Sequence, residues 1–444
     1  RVAALAGQKR ARLARATLDR LAQRAIPLPE PWPAEARELL VELLRCGHHA
    51  IPVIEALDQT GLWCRLIPEW EPVRSRPQRN AYHRFTVDRH LCEAAANAAA
   101  LTSRVSRPDL LLLGALLHDI GKGFPGDHTT VGMEVVARIG ARMGLPQADV
   151  DLLVAMVRLH LLLPDVATRR DLDDPATIAA VAAEVGDRTT LDLLAALTEA
   201  DSLATGPSAW GSWKAGLVAD LVARTAQRLE GGSDMRGSAL PTAEHLELMA
   251  RRELVVSVEG DRLTVIAPDR PGLFARVAGS LSLHGLDVRS AAVASSEDGM
   301  AVEVFDVVAN AGSAPQWDRV RRDIERAVSG RLALEARVAE RARVYAPRRP
   351  AAARPVEPRV TFDNDATDAA TVVEVRAPDA VGVLYRITRA LADADLDVRR
   401  AMVSTLGHEV VDAFYVVDGA GRKVTDREHL VEVERAILDA LTRG

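Results

Sequence analysis

Two stretches of the chain repeat each other, and this repeat constrains the fold more than any other feature of the sequence. Ala267–Val288 aligns without a gap with Ala377–Val398. Both begin with Ala-Pro-Asp, continue through a glycine-containing turn and an apolar helical stretch, and end in Leu-Asp-Val before another apolar run. A self-similar segment of this length indicates two copies of one structural unit.

Each copy predicts the element order β-α-β-β-α, which is that of a ferredoxin-like α+β domain. The first copy could add a sixth element, a strand at residues 332–339 (LALEARVA). The second copy lacks such a segment at its end, and a strand at 359–364 could take its place. We predict the two α+β domains at residues 251–340 and 359–444, joined by a Pro/Arg/Ala-rich linker at 341–358.

The region before the repeat predicts helices only, because its apolar residues recur with helical spacing. We predict an all-α domain at residues 81–230, a helical connector at 1–80 and a linker at 231–250. The predicted helices of the all-α domain span residues 86–101, 107–119, 128–143, 147–161, 174–185, 188–204 and 210–229.

Composition excludes several classes of protein. With 444 residues, 48% of them apolar, the chain is long enough for two to four folded domains. A formal charge of −6 gives no electrostatic reason to expect nucleic acid or membrane as a partner. Three cysteines without a CxxC pair are typical of a reducing compartment, and no apolar run is long enough to cross a bilayer. We therefore expect a cytoplasmic protein.

One stretch of the all-α region, 111–128 (LLLGALLHDIGKGFPGDH), carries the strongest chemical signal. An apolar helix delivers His118 and Asp119 together, and Gly121 then breaks the helix. An imidazole beside a carboxylate is a ligand pair for divalent metals, and a buried aspartate is costly unless it is paired. The alternative is a helix end capped by a histidine and stopped by a glycine.

Further ligand-type residues lie in the same region and favour the metal site over the helix-end alternative. They are His90, His128, His160 and Asp201, several of which adjoin apolar helical stretches. Such a collection in one all-α domain is typical of a metal centre. We interpret His49 and His83 as structural residues.

The pattern His90…His118-Asp119…Asp201 resembles that of the HD superfamily of metal-dependent phosphohydrolases. The wider sequence is more specific. Six segments, followed by two ACT-like repeats, resemble the C-terminal two-thirds of the GlnD family. The segments are LIPEW, HRFTVDRH, LLHDIGKGFPGDHTTVG, RRDLDDP, TEADSLATGPSAWGSWKAGLV and RVTFDND. That family comprises the bifunctional uridylyltransferase/uridylyl-removing enzymes of the P-II nitrogen-signalling proteins. The resemblance covers nearly the whole chain.

The resemblance implies a site and a reaction. His90, His118, Asp119 and Asp201 would hold Mg or Mn, and His128 and His160 would add ligands for a second metal or for phosphate. Water activated by the metal would attack the phosphorus of a nucleotidyl-tyrosine diester on P-II. Lys122 could offset charge on the phosphate and Asp127 could orient the water, although both residues would equally suit a solvated loop.

The resemblance further implies that the repeats are ACT domains, which sense glutamine. In the first copy Asp269, Arg270, Gly272 and Leu273 match the ACT turn, where glycine and the free N–H groups of a helix start can hold a carboxylate. In the second copy only Asp379 and Gly382 remain. A structural or self-associating role is the alternative, because ACT domains often only pair.

Two other functions agree with parts of this pattern. A (p)ppGpp hydrolase also joins HD and ACT domains, but the two repeats directly after the helical domain count against it. A non-catalytic HD/ACT scaffold is disfavoured because every ligand position carries a ligand-type residue. The transferase half of the GlnD family needs a Gly-Ser helix start and a DxD strand, and no such pattern precedes residue 81, so we expect either a fragment or a homologue that lost transfer.

Overall fold

The computed structural model describes residues 1–78, 84–206, 209–232, 240–296, 298–309, 315–345, 357–406 and 409–442. It divides into two compact units. The first comprises residues 1–167 and 178–234, and the second comprises residues 168–177 and 235–444. His83 lies outside the described residues, as do residues 233–239 of the first predicted linker and 346–356 of the second.

The described part of the first unit is built of helices. These are α1 (Val2–Gln8), α2 (Arg15–Arg24), α3 (Ala34–Arg45), α4 (Ile51–Gln59), α5 (Leu62–Leu66), α6 (Val87–Ala99), α7 (Pro108–Leu117), α8 (His128–Arg142), α9 (Gln147–Leu159), α10 (Leu162–Arg169), α11 (Pro175–Val185), α12 (Arg188–Thr205) and α13 (Ser212–Leu229). Every helix predicted between residues 86 and 229 is present, whereas α10 was not predicted. Residues 1–80 were expected to form a connector, but they pack into the core of this unit, for example through Leu18 and Trp32.

Helix α7 is the centre of the first unit. Every side chain from Leu110 to Leu117 is buried, so the helix is covered by protein on all sides. A helix that is apolar all round takes this position because no face of it gains from contact with water. Its C-terminal end places the next two residues, His118 and Asp119, in the interior of the protein.

The second unit holds the two repeats in one sheet. Its helices are α14 (Ala243–Ala250), α15 (Leu273–Leu283), α16 (Trp317–Val328), α17 (Leu334–Val344), α18 (Val383–Asp393) and α19 (Arg427–Thr442). Its strands are β1 (Val255–Glu259), β2 (Arg262–Pro268), β3 (Leu286–Ser295), β4 (Met300–Ala309), β5 (Arg359–Asp363), β6 (Thr371–Pro378), β7 (Asp397–Leu406) and β8 (Glu409–Val417). The strand order is β1-β2-β4-β3-β7-β8-β6-β5.

The two repeats pair with each other along β3 and β7, which run antiparallel with Ala291 opposite Ala401. Each repeat has the ferredoxin-like order of strands, which confirms the predicted fold class of helical domain followed by α+β domains. The edge strand differs from the prediction in the first repeat only. In each repeat the edge is filled by a strand that precedes the repeat, β1 beside β2 and β5 beside β6. The expected strand at 359–364 is therefore present.

The predicted strand at 332–339 was wrong, because this segment lies in helix α17. Its sequence alternates in a way that suits a strand, but Leu334 and Val338, four residues apart, are the side chains that are buried. They pack against α15 and α18 in a small apolar cluster that includes Tyr385. Spacing of four residues puts both side chains on one face of a helix. Residues 243–250, expected to be linker, form helix α14.

Residues 168–177, the acidic segment, belong to the second unit and contact the second repeat. The Arg400 guanidinium lies 2.9 Å from carboxylate oxygens of both Asp171 and Asp173. The backbone N–H of Asp171 donates to the hydroxyl of buried Tyr415 at 2.7 Å, and Arg170 pairs with Asp363 at 3.1 Å. The segments RRDLDDP and RVTFDND thus contact each other. None of the helices among the described residues is long and apolar enough to traverse a bilayer.

Candidate metal centre

Three helices deliver the predicted ligands to one place. His90 lies in the first turn of α6, His118 and Asp119 directly follow α7, and Asp201 lies in α12. Helix α6 packs against both α7 and α12, which brings ligands more than a hundred residues apart in sequence together. The side chains of His90, His118 and Asp119 are at most 3% exposed. Polar groups this deep in a core need partners.

The first group of possible ligands is His90, His118 and Asp201. Oδ1 of Asp201 lies 2.9 Å from Nε2 of His90 and 3.4 Å from Nε2 of His118. Ligand atoms that share one metal at about 2.0–2.2 Å lie roughly 3–4 Å apart. The first group therefore has the spacing of a metal site.

The second group is Asp119, His128 and His160. Oδ1 of Asp119 lies 3.9 Å from Nε2 of His128 and 3.7 Å from Nε2 of His160. Oδ2 of the same carboxylate lies 3.5 Å from Nε2 of His118 and 3.8 Å from Nε2 of His90. The two oxygens of Asp119 thus face the histidines of different groups, so this carboxylate can serve both.

The ring orientation of the histidines suits metal binding. Nδ1 of His118 donates to the carbonyl oxygen of Ala115 at 3.0 Å, and Nδ1 of His160 donates to that of Val157 at 2.7 Å. Each bond leaves the lone pair of Nε2 directed at the cluster. Nε2 of His118 and Oδ1 of Asp119 are buried and have no hydrogen-bond partner. Nε2 of His118 belongs to the first group of ligand atoms and Oδ1 of Asp119 to the second, so each group contains an orphaned acceptor that fits a divalent cation.

The charges of the cluster reinforce each other. Burial alone would lower the pKa of His118, but Asp119 and Asp201 outweigh burial and raise it. Burial alone would raise the pKa of Asp119, but the adjacent histidines and Lys122 hold it well below its usual value. Burial lowers the pKa of His160. The carboxylates are therefore ionised at neutral pH, which is the form that binds a metal.

Comparison with known proteins agrees with both units. A family model described as "HD domain" matches residues 87–205, which include all four residues of the HD pattern. Models described as "ACT domain" and "ACR family N-terminal ACT domain" match residues 262–314 and 366–443.

Curated relatives share nearly the whole chain. A protein of Streptomyces coelicolor is 46% identical over 99% of this chain, and one of Mycobacterium tuberculosis is 42% identical over 99%. One of Gluconobacter oxydans is 33% identical over 91%. All three are named "Bifunctional uridylyltransferase/uridylyl-removing enzyme". The chain belongs to this GlnD family. It spans 59%, 57% and 50% of the length of these three relatives.

A glycine turn holds the second group of ligands in this GlnD-family chain. After Asp119 the backbone forms a short 3₁₀ turn, Ile120–Gly123. An added Cβ on Gly121 would lie 1.9 Å from the carbonyl oxygen of His128 and 2.7 Å from the backbone nitrogen of Gly132. The first turn of α8 therefore packs directly on this turn. Only glycine permits that approach, which carries His128 to Asp119.

The two residues predicted as catalytic lie in different environments. Nζ of Lys122 donates to Oδ2 of Asp119 at 2.5 Å and to Oε1 of Gln78 at 3.2 Å, so its charge is at the cluster. Asp127 instead caps helix α8, where its Oδ1 accepts from the backbone N–H and the hydroxyl of Thr130. These contacts are those of a helix cap. Lys122 therefore contacts the cluster, whereas Asp127 caps a helix.

Sequence reasoning missed the residues that hold the loop before α6 against the cluster. Gln78 contacts Lys122, and the Arg76 guanidinium donates to the carbonyl oxygen of Gly123 at 2.6 Å. Both lie in a polar loop (SRPQ) whose composition gives no sign of a functional contact. The two hydrogen bonds join residues that are 44 and 47 positions apart in sequence, so only the folded structure reveals them.

The predicted glutamine-binding residues occupy equivalent turns in the two ACT repeats. Gly272 and Gly382 each precede a helix with φ of +78°. In the first repeat Asp269 is half-buried and Arg270 is exposed, and Leu273 is buried. In the second repeat Asp379 is exposed at the corresponding turn. The positive φ explains why glycine remains in both copies although the residues around it differ.

Proposed function

We propose that this GlnD-family chain is a metal-dependent phosphodiesterase that removes a nucleotidyl group, UMP or AMP, from the tyrosine of a P-II signalling protein. The observation that carries the proposal is the Asp119 carboxylate, whose two oxygens face two groups of metal-ligand side chains. The shared names of the relatives and the match to the HD domain support a hydrolase of this kind.

The proposed cofactor is a divalent metal, Mg or Mn, at His90, His118, Asp119 and Asp201, with His128 and His160 as ligands of a second ion. When bound, such an ion polarises phosphate oxygens and makes water a better nucleophile. The protein contributes the rigid placement of its ligands. Nδ1 of His118 and of His160 is held by a backbone carbonyl, so neither ring can rotate freely.

Lys122 is the proposed group for the negative charge of the diester. Its side chain is 25% exposed while Asp119 is 3% exposed, so the amine is at the open side of the cluster. A cation there would stabilise charge that grows on the phosphate oxygens as the leaving tyrosine departs. His128, at 35% exposure, lines the same open side.

We further propose that glutamine regulates the hydrolysis by binding to the ACT domains. A second proposal is that uridylyltransferase activity belongs only to a longer parent protein that contains this chain. The turns at Gly272 and Gly382 support the first point, because each starts a helix with backbone N–H groups available to a carboxylate. The relatives' names, together with the share of their length that this chain spans, support the second. Three unpaired cysteines, Cys46, Cys64 and Cys92, are in keeping with a cytoplasmic reaction.

The test is release of nucleotide from modified P-II. Uridylylated and adenylylated P-II would each be incubated with the chain and Mn²⁺, with and without glutamine, and (p)ppGpp would be offered as a competing substrate. We expect release of UMP or AMP, modulated by glutamine, and loss of at least about a thousandfold in rate with His118→Ala or Asp119→Asn. Release that survives both substitutions, or hydrolysis of (p)ppGpp alone, would refute the proposal.

A further inference from the structure

The side-chain amide of Gln78 carries a hydrogen-bond donor that the described part of the protein does not use. Its Oε1 accepts from Nζ of Lys122 at 3.2 Å. Because an ammonium group can only donate, the amide oxygen must face Lys122, and this fixes the orientation of the amide. Nε2 is shielded from solvent and has no acceptor among the described residues. A buried donor without an acceptor lowers stability, so its presence beside the metal cluster requires an explanation.

The loop that carries Gln78 is held in place by hydrogen bonds of Arg76. The carbonyl oxygen of Arg76 accepts from the backbone N–H of Val87 at 2.9 Å, which joins the loop to the first residue of α6, the helix that carries His90. Its guanidinium donates to the carbonyl oxygen of Gly123 at 2.6 Å, which joins the loop to the glycine turn. The amide of Gln78 therefore has a defined position beside the cluster, although it lies outside helices and strands.

The cluster beside Gln78 contains unused groups of the opposite kind. Nε2 of His118 and Oδ1 of Asp119 are buried acceptors without a hydrogen-bond partner. Divalent cations would satisfy these acceptors, but a cation cannot accept a hydrogen bond from Nε2 of Gln78. The unused donor therefore requires an oxygen atom of a ligand in addition to the metal.

A phosphodiester supplies such an oxygen. Its non-bridging oxygens share one negative charge and are strong hydrogen-bond acceptors. Nζ of Lys122 already donates to Oδ2 of Asp119, so its charge is partly balanced within the protein. The amide of Gln78 adds a donor with no charge of its own and no competing acceptor among the described residues. Water is the alternative acceptor, but only a phosphate would make nucleotide affinity depend on Gln78.

We propose that Gln78 binds the phosphate of the substrate, with Nε2 donating to a non-bridging oxygen of the nucleotidyl-tyrosine diester. The inference rests on the proposed function and deepens it, because it adds a substrate contact to the metal ligands and Lys122. The same contact would hold the phosphate of the UMP or AMP product. Gln78 lies before the HD-domain match at residues 87–205, so the family pattern does not select it.

The experiment is calorimetric titration of the full chain, in the presence of Mn²⁺, with UMP, AMP and inorganic phosphate. Gln78→Glu keeps the side chain's shape and an acceptor for Lys122 but replaces the donor by an oxygen, whereas Gln78→Met removes the donor without adding charge. We expect both variants to bind all three ligands at least about tenfold more weakly than the wild type, because a hydrogen bond to a charged oxygen is lost. Gln59→Glu, at an exposed residue of α4, is the matched control and should bind them as the wild type does.

Two further measurements separate substrate binding from a structural role. Gln78→Met should keep the Mn²⁺ affinity of the wild type within about threefold and should unfold at the same temperature without nucleotide, because Nε2 has no protein partner to lose. Unchanged nucleotide and phosphate affinity in both Gln78 variants would overturn the inference. Loss of Mn²⁺ affinity as large as the loss of nucleotide affinity, or no binding of any of the three ligands by the wild type, would also overturn it.

Hydrolysis of uridylylated and adenylylated P-II is measured on the same proteins. We expect Gln78→Met to lower kcat/KM by about tenfold or more. A wild type that binds phosphate through Gln78 but releases no nucleotide would contradict the phosphodiesterase proposal and leave the phosphate contact standing. A wild type that releases nucleotide, with Gln78 variants that bind and hydrolyse equally well, would contradict the inference alone.

Discussion

Gly121→Ala tests how the protein assembles its second group of ligands. The added methyl carbon would lie 1.9 Å from the carbonyl oxygen of His128, whereas ordinary contacts begin at 3.4 Å, so the first turn of α8 must withdraw by the difference, about 1.5 Å. His128 moves with that turn, so its ring moves away from Asp119. Nε2 of His128 is already 3.9 Å from Oδ1 of Asp119 in the wild type. Forced overpacking against backbone should lower the free energy of unfolding by about 1–3 kcal/mol.

The assay combines chemical unfolding with titration of metal-free protein by Mn²⁺. We expect the affinity of the group formed by Asp119, His128 and His160 to fall about tenfold or more, as when a supporting residue of a metal site is lost. Gly216→Ala in α13 is the matched control, because its Cβ would meet no atom within 4 Å. That variant should gain about 0.5–1 kcal/mol. If Gly121→Ala kept wild-type stability and Mn²⁺ binding, the packing argument would be refuted.

Three further predictions concern the turns, the acidic segment and proton release. Gly382→Ala should lower the free energy of unfolding by about 1–3 kcal/mol more than Gly272→Ala. Backbone strain at φ of +78° is common to both variants, but only the Cβ at position 382 would collide with α17. Equal losses of unfolding free energy in urea would contradict this. Arg400→Ala should speed amide hydrogen exchange in the acidic segment. Arg399→Ala should not, because Arg399 pairs with Asp397 of its own strand at 3.5 Å and with no other acid among the described residues. Equal exchange in the two variants counts against the contacts. The raised pKa of His118 means that the metal-free ring keeps its proton until pH rises through that value. Mn²⁺ affinity should therefore increase as pH rises through the pKa of His118. Calorimetry in two buffers should detect the proton that the ring releases on binding. Binding of Mn²⁺ that does not depend on pH would refute the assignment of His118 as a ligand.

The residues that the structure brings together as possible metal ligands could be selected from sequence because they depend on local signals. An apolar helix that ends in His118-Asp119 also suits a capped helix end, but His90 and Asp201 in the same all-α region favour the metal site, and the helices that carry them are recognisable from periodicity. The sequence could not indicate that the two oxygens of Asp119 face different histidines, since this depends on how α7 and α8 pack. The close approach at Gly121 is of the same kind, because its cause lies in the backbone of a different helix.

The α+β region illustrates the same limit. The repeat predicted the order of elements within each copy, and 359–364 was correctly expected at the edge of the second. It did not predict the edge strand of the first copy, because that strand, β1, precedes the repeat in sequence. Residues 332–339 fit a strand by alternation, and their packing on α15 and α18 decided for a helix. Arg276 and Arg386 are equivalent in sequence, yet the structure gives Nη1 of Arg276 an acceptor and gives Nε and Nη1 of Arg386 none among the described residues.

The central claim is that the Asp119 cluster holds a divalent metal, and anomalous diffraction from crystals grown with Mn²⁺ tests it most directly. The account predicts an anomalous peak about 2.0–2.3 Å from Nε2 of His118 and from a carboxylate oxygen of Asp119. The peak should disappear in Asp119→Asn crystals grown at the same Mn²⁺ concentration. An absence of any peak within the cluster of wild-type crystals, or one that persists unchanged in Asp119→Asn, would contradict the account.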